Sequence, residues 1–262
     1  MTARFVVLIG LLSMPASGQV KQQAERVYED VGLTPRLGHT IPLDLTFTGS
    51  DGREVTLREV FGQQRPVVLT FVYHTCPMLC SLLLDGVTRA LKDIPFTPGL
   101  DYELVTVSFG ADDTPESAAH QRERYLRQLD RSNADWRFLT GSESAVYSLT
   151  QSVGFAYKWV EEQQEYAHPA AVVFLSDSGT ITRYLPDFAP QTRDVRASIV
   201  ESSEGTIGTL LDRAFLFCFQ FDPARNSYVL VATRAMQVGG GLTVLALLMS
   251  LGLLWKREFN QA

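Results

Sequence analysis

A chain of 262 residues, 45% of them hydrophobic, is long enough to build one domain around a proper core. Its 29 acidic residues against 23 basic ones leave a formal net charge of −6. That mild acidity offers no basic stripe and counts against nucleic acid as a partner.

The first predicted element is a secretory signal peptide over residues 1–18. It has a basic start at Arg4, an apolar stretch from Phe5 to Leu12, and Ala16-Ser17-Gly18 as a small-residue cleavage site. Residues 19–41 are polar with scattered apolar positions and read as an arm containing at most a short helix. A hairpin follows, with strands at Leu43–Phe47 and Glu54–Leu57 joined across Asp51-Gly52. The run Pro66–Tyr73, bounded by proline and rich in β-branched and aromatic residues, predicts a buried strand. It feeds a helix ending near Lys92, with Cys76 at its N-terminus, Pro77 in its first turn and Cys80 one turn on.

Tyr102–Phe109 is the next buried strand. Asp113-Thr114-Pro115-Glu116 opens a helix to about Leu129, with Thr114 as N-cap and Pro115 at the first helical position. Trp136–Leu139 reads as a short strand, and Ser142 starts a helix reaching Val153. A last hairpin pairs Ala171–Ser176 with Thr180–Leu185 across Asp177-Ser178-Gly179. The acidic run Glu161–Glu165 reads as a solvated loop. After a connector, the apolar run Val238–Trp255 is long enough to span hydrocarbon, and Lys256-Arg257 behind it places the C-terminus in the cytoplasm. The fold class is therefore α/β, a sandwich around a mixed central sheet with an N-terminal hairpin, plus a C-terminal transmembrane helix.

Chemistry concentrates in Cys76-Pro77-Met78-Leu79-Cys80. The free N–H groups and positive end of a helix favour a thiolate at its start. Two thiolates one turn apart either exchange disulfides or hold a soft metal ion. His168 is the best-placed third donor, because Pro169 holds it extended on the loop feeding the strand at Ala171. Two thiolates and an imidazole suit Cu(I), a further weak ligand would suit Cu(II), and zinc is an alternative. Against these stands a plain loop histidine with a hydrogen bond. Met78 reads as packing with a polarizable sulfur, His74 as an auxiliary ligand or proton partner, and Asp113–Glu116 as helix capping. Cys218, in an aromatic run, reads as a buried inert thiol.

These residues carry a resemblance. Tyr73-His74-Thr75-Cys76-Pro77-Met78-Leu79-Cys80, Val107-Ser108-Phe109, Asp113-Thr114-Pro115-Glu116, Phe155-Ala156-Tyr157 and Tyr166-Ala167-His168-Pro169 follow the order and spacing of the Sco family of copper chaperones. The resemblance spans roughly Pro42 to Leu185. It implies a thioredoxin-like domain, taken as residues 42–215, that binds copper as Cu(I) or Cu(II) through Cys76, Cys80 and His168. Residues 216–235 would be the connector, 236–255 the membrane helix and 256–262 the cytoplasmic tail. Met78 or Leu79, and Ser81, stand where the family commonly has an acidic residue and a proline. The anchor is C-terminal where the family's is usually N-terminal.

The implied function is delivery of copper to a cytochrome c oxidase, or preparation of its copper site, by a protein tethered on the exported side of the cell membrane. Its partners would be a copper-accepting oxidase subunit and a thiol reductant protein. The alternatives are a tethered thiol–disulfide oxidoreductase, with Cys76 as nucleophile and Cys80 resolving, and a redox or copper sensor.

Overall fold

The computed structural model describes residues 30–76 and 78–205, the backbone of 219–222 and 227–230, and residues 240, 241, 243, 244 and 247–249. In chain order the strands are β1 (Gly32–Leu33), β2 (Thr46–Gly49), β3 (Glu54–Thr56), β4 (Val67–Val72), β5 (Glu103–Ser108), β6 (Arg137–Thr140), β7 (Phe155–Ala156), β8 (Lys158–Val160), β9 (Glu165–Ala167), β10 (Val172–Leu175), β11 (Ile181–Leu185), β12 (Phe219–Asp222) and β13 (Ser227–Leu230). The helices are α1 (Leu57–Phe61), α2 (Leu79–Lys92), α3 (Pro115–Leu129), α4 (Glu143–Ser152) and α5 (Thr192–Ser203).

Seven strands form the central sheet in the order β11-β10-β4-β5-β6-β2-β3. The β4–β5 and β5–β6 pairs are parallel and the remaining pairs antiparallel. Every residue of β4 and β5 is buried, the polar Thr70, Glu103, Thr106 and Ser108 included, because a central parallel strand is covered on both faces. Helix α2 packs against α3 and α5, α3 lies on β6, and α5 covers β11 and β10. A mixed sheet with a strand-to-helix turn at its centre is the thioredoxin-like arrangement expected.

Where local chemistry is strong, the elements fall where the sequence puts them. Thr114 and Ser117 form a reciprocal cap with Pro115 in the first turn, and α3 runs to Leu129. The Ser142 hydroxyl caps α4 by accepting the Ala145 N–H. The hairpin forms with Phe47 opposite Val55, and Gly52 supplies the positive φ of its turn. Its bounds depart from expectation at both strands: the first runs Thr46–Gly49 rather than Leu43–Phe47, and the second stops at Thr56. Leu57 starts α1 rather than ending a strand, because Thr56 and Glu59 close a capping box across its first turn. Helix α5, the β8–β9 ribbon, the β1–β7 pair and the β12–β13 ribbon within the expected connector are additional elements.

Gly86 shows how closely the surroundings of α2 are packed. A Cβ there would lie 2.3 Å from the Phe188 carbonyl oxygen and 2.8 Å from the Ala189 Cα. Gly86→Ala is therefore expected to destabilise the domain by about 1–3 kcal/mol through overpacking, although alanine is the better helix former by about 1 kcal/mol. Urea unfolding decides the sign; a stabilised variant would mean that the 188–189 segment yields freely.

Among the described residues no helix is long and apolar enough to cross a membrane. The signal peptide at 1–18, residues 19–29 of the arm, Pro77, Cys218, most of the span at 236–255 and the tail at 256–262 lie outside the described residues.

Candidate metal centre

Strand β4 ends at Val72, and the chain turns through Tyr73–Cys76 before α2. The helix begins later than the sequence suggests. Met78 occupies the cap position with φ −148° and ψ −59° and offers no side-chain cap, so Cys76 lies in the connecting turn, not in the helix. Its sulfur serves as the cap instead, accepting the Cys80 N–H at 3.3 Å. An anionic sulfur facing a helix N-terminus is favoured by the dipole and the free N–H groups. Cys80, the second residue of α2, turns inward, is 5% exposed, and accepts the Tyr73 N–H at 3.4 Å.

The antiparallel register of β10 on β4 pairs Val172 with Thr70, which carries the residues before Val172 alongside those after Thr70. His168 thereby meets the cysteines. Its Nε2 lies 3.7 Å from Cys80 Sγ, and the three donor atoms of Cys76, Cys80 and His168 all lie within 4.8 Å of one another. The other ring nitrogen, Nδ1, is 2.9 Å from the Pro169 carbonyl oxygen. A carbonyl has no proton to give, so Nδ1 donates to it, and Nε2 is the ring nitrogen aimed at the sulfurs. Phe109, Tyr73 and Phe155 box the ring, with centroids 5.0, 5.7 and 6.3 Å away.

The two thiols are split in acidity. Cys76 is pushed down to about 3, first by the hydrogen bond from Cys80, then by His168 and by the N–H groups of Cys80 and Met78, all against the opposing effect of burial. Cys80 is raised well above the usual thiol range, first by burial and then by its bond to Cys76. The pair thus holds one proton, on the buried sulfur, and an exposed-side thiolate.

This donor set suits a soft ion. With metal–sulfur bonds of about 2.3 Å and metal–nitrogen bonds of about 2.0–2.1 Å, a trigonal centre separates sulfur from nitrogen by about 3.8 Å. The Cys80–His168 separation of 3.7 Å matches that figure.

Other residues fall differently from the sequence reading. His74 does not join the group: its Nδ1 is 2.7 Å from Ser117 Oγ and 3.6 Å from Asp113 Oδ2. Ser117 Oγ donates to the Thr114 carbonyl at 2.9 Å, so it accepts from His74 Nδ1–H. Burial lowers the His74 pKa despite the Asp113 carboxylate. Asp113 does more than begin a helix, since Oδ2 accepts the His74 N–H at 2.8 Å and the Ser108 hydroxyl. Met78, read as packing, is 65% exposed. Residues 161–165 are exposed, as expected of a solvated stretch, but 161–164 form the turn of the β8–β9 ribbon and Glu165 begins β9. That ribbon and the aromatic box were missed. The alternation of Trp159 and Tyr166, paired across it, was the available signal.

The family model described as SCO1/SenC matches residues 35–203. No curated protein matches the chain. Among solved structures, a candidate electron transfer protein of Aquifex aeolicus VF5 superposes with a TM-score of 0.58 at 23% identity, covering 65% of this chain and 96% of that one. Arabidopsis thaliana ScoI with copper bound gives 0.52 at 18% identity, covering 65% and 99%. BsSco, a member of the Sco family of cytochrome c oxidase assembly proteins, gives 0.50 at 17% identity, covering 65% and 98%. At these identities the likeness establishes the fold.

Proposed function

The chain belongs to the SCO1/SenC family, and on that premise we propose that it takes up copper between Cys76, Cys80 and His168 and delivers it to a cytochrome c oxidase, or prepares the oxidase's copper site. One observation carries the reading: an imidazole nitrogen, aimed by the hydrogen bond of its partner nitrogen, faces two sulfurs, the nearer in sequence 88 residues away. The copper-bound state of the Arabidopsis relative and the assembly role named for BsSco support it.

The cargo is soft Cu(I), or Cu(II) where a further weak ligand joins. Cys76 offers its thiolate at the exposed side, and Cys80 gives up its proton as it ligates. His168 needs no rearrangement of its ring. Release to an oxidase subunit proceeds by exchange, donors of the recipient replacing Cys76 first because it alone of the three is not fully buried. Export by the 1–18 segment and anchoring by the apolar run at 236–255 would hold this domain, residues 42–215, on the outer face of the cell membrane. There a tether raises its concentration near a membrane-bound recipient.

A second reading rests on the split thiols. Cys76 as thiolate attacks a partner's disulfide and expels one partner sulfur as thiolate. Cys80 then loses its proton, displaces the second partner sulfur, and leaves a Cys76–Cys80 disulfide and a reduced partner dithiol. A thiol reductant protein must restore the pair.

Purified reduced protein titrated with Cu(II) is expected to take one equivalent and develop an intense sulfur-to-copper absorption in the visible. Absence of both the band and retained copper would leave only the exchange reaction.

A further inference from the structure

A cleft of ≈ 550 Å³ opens beside the sulfur pair, and neither metal binding nor thiol exchange uses it. Its floor is Tyr73 and Thr75, which lead directly into Cys76. One side is the loop holding Asp112, and the other is the β8–β9 ribbon presenting Trp159, Glu165 and Tyr166. The aromatic wall is packed within itself and against Tyr73. Trp159 and Tyr166 are cross-strand partners with ring centroids 4.9 Å apart, and Tyr166 rests on Tyr73 at 5.1 Å. The Tyr166 hydroxyl accepts the Ala111 N–H at 3.3 Å, tying the two walls together. The Trp159 indole N–H donates to Glu161 at 2.7 Å, which fixes the ring while leaving the residue 41% exposed.

The charge in the cleft has one sign. Among the described residues no lysine or arginine lines it. Asp113 is consumed by His74 and Ser108, but Asp112 and Glu165 are exposed, and neither carboxylate has an ion-pair or hydrogen-bond partner among the described residues. An oriented indole in one cleft with two unpartnered carboxylates is suited to a cation on an extended chain. We infer that this cleft docks a lysine- or arginine-bearing segment of the protein that exchanges with Cys76, with the cationic side chain held against Trp159 between Asp112 and Glu165.

The inference rests on the thiol pair acting upon a partner protein, as proposed above, and it makes that partner basic next to its reacting site. The position of the cleft gives docking a consequence. Tyr73 lies three residues before Cys76 and Tyr166 two before His168, so a docked segment touches side chains that flank both donors.

The test uses the full-length reduced chain and two pentapeptides as probes, acetyl-Gly-Lys-Gly-Lys-Gly-amide and its glutamate counterpart. The NMR signal of the Trp159 indole N–H, identified by its loss in Trp159→Phe, is followed in each titration. The lysine peptide is expected to shift that signal and the Ala111 amide, and the glutamate peptide to leave both in place. Asp112→Asn with Glu165→Gln, two exposed changes, should weaken the lysine peptide at least about fivefold, as should raising salt to about 1 M. No shift with the lysine peptide, equal shifts with both peptides, or indifference to the double variant would each overturn the inference. Copper uptake by the same sample is measured in parallel. Uptake without peptide binding sinks the cleft alone, whereas peptide binding without copper uptake sinks the copper reading and leaves a docking site for a redox partner.

Discussion

Loss of any one of the three donors is expected to weaken copper binding by more than about a hundredfold, since removal of an outer partner to a ligand alone typically costs about 10–100-fold. Cys76→Ser and Cys80→Ser remove soft sulfurs that serine oxygen does not replace. His168→Ala removes the nitrogen donor that the Nδ1–Pro169 hydrogen bond aims at them. His168 is 5% exposed inside an aromatic box, so alanine also leaves a void. His168→Gln, which fills more of the space with a polar amide, separates loss of the donor from loss of packing. Competition with a colourless Cu(I) chelator measures the affinities, and circular dichroism checks the fold. The imidazole separates the two readings of the site: disulfide reduction by the Cys76–Cys80 pair does not pass through it. Copper bound by both His168 variants as tightly as by the parent would remove the third donor and leave a thiol exchanger.

Much of this site was legible before its geometry. The β4 run, the paired cysteines after it and a proline-held histidine before the next apolar strand were visible as residue types in order. Their meeting follows from one register, β10 antiparallel on β4. What escaped has physical causes. Helix α5 buries Val195, Ser198, Ile199 and Ser202, and the two serines weaken its apolar stripe. They are tolerated because Ser202 Oγ meets Thr182 Oγ1 at 2.7 Å and both hydroxyls return to carbonyls of their own helix. Helix α1 was hidden because Glu54–Leu57 alternates as a strand does, and the capping box outweighs that pattern. Met78 would fall on the packed face only if the helix began at Pro77, and α2 begins at Leu79. The buried stripe of α2 runs Cys80, Leu83, Leu84, Val87, Ala90 and Leu91, and Met78 precedes it. The box around His168 draws on β4, β5 and β7 and the segments that follow them, and no window of sequence contains it.

The split between the two thiols carries the second large effect. In the reduced protein, iodoacetamide is expected to alkylate Cys76 at a rate that changes by less than about twofold from pH 8 to pH 5. An ordinary thiol, with a pKa near 8.5, slows by about a thousandfold over that range. The flat profile follows from a Cys76 thiol pushed down to about 3, which keeps its thiolate fraction near one throughout. Its absolute rate is modest, because a less basic sulfur is a weaker nucleophile. Cys80, buried and raised well above the usual range, is expected to stay unmodified until the protein unfolds. Stability carries the same signature with a definite sign. Since Cys76 is more acidic folded than unfolded, its thiolate contributes stability that is complete above about pH 8.5 and is lost as pH falls toward 3. Cys80 acts oppositely and only above the usual thiol range, where the unfolded chain ionises and the fold keeps its proton. The urea midpoint should therefore climb from pH 4 to pH 8 and level off or fall beyond, with the part of the climb due to Cys76 missing in Cys76→Ser. Alkylation of Cys76 with a single midpoint near pH 8 would mean that the two sulfurs share no proton, and both the thiolate cap on α2 and the ready copper donor would go with it.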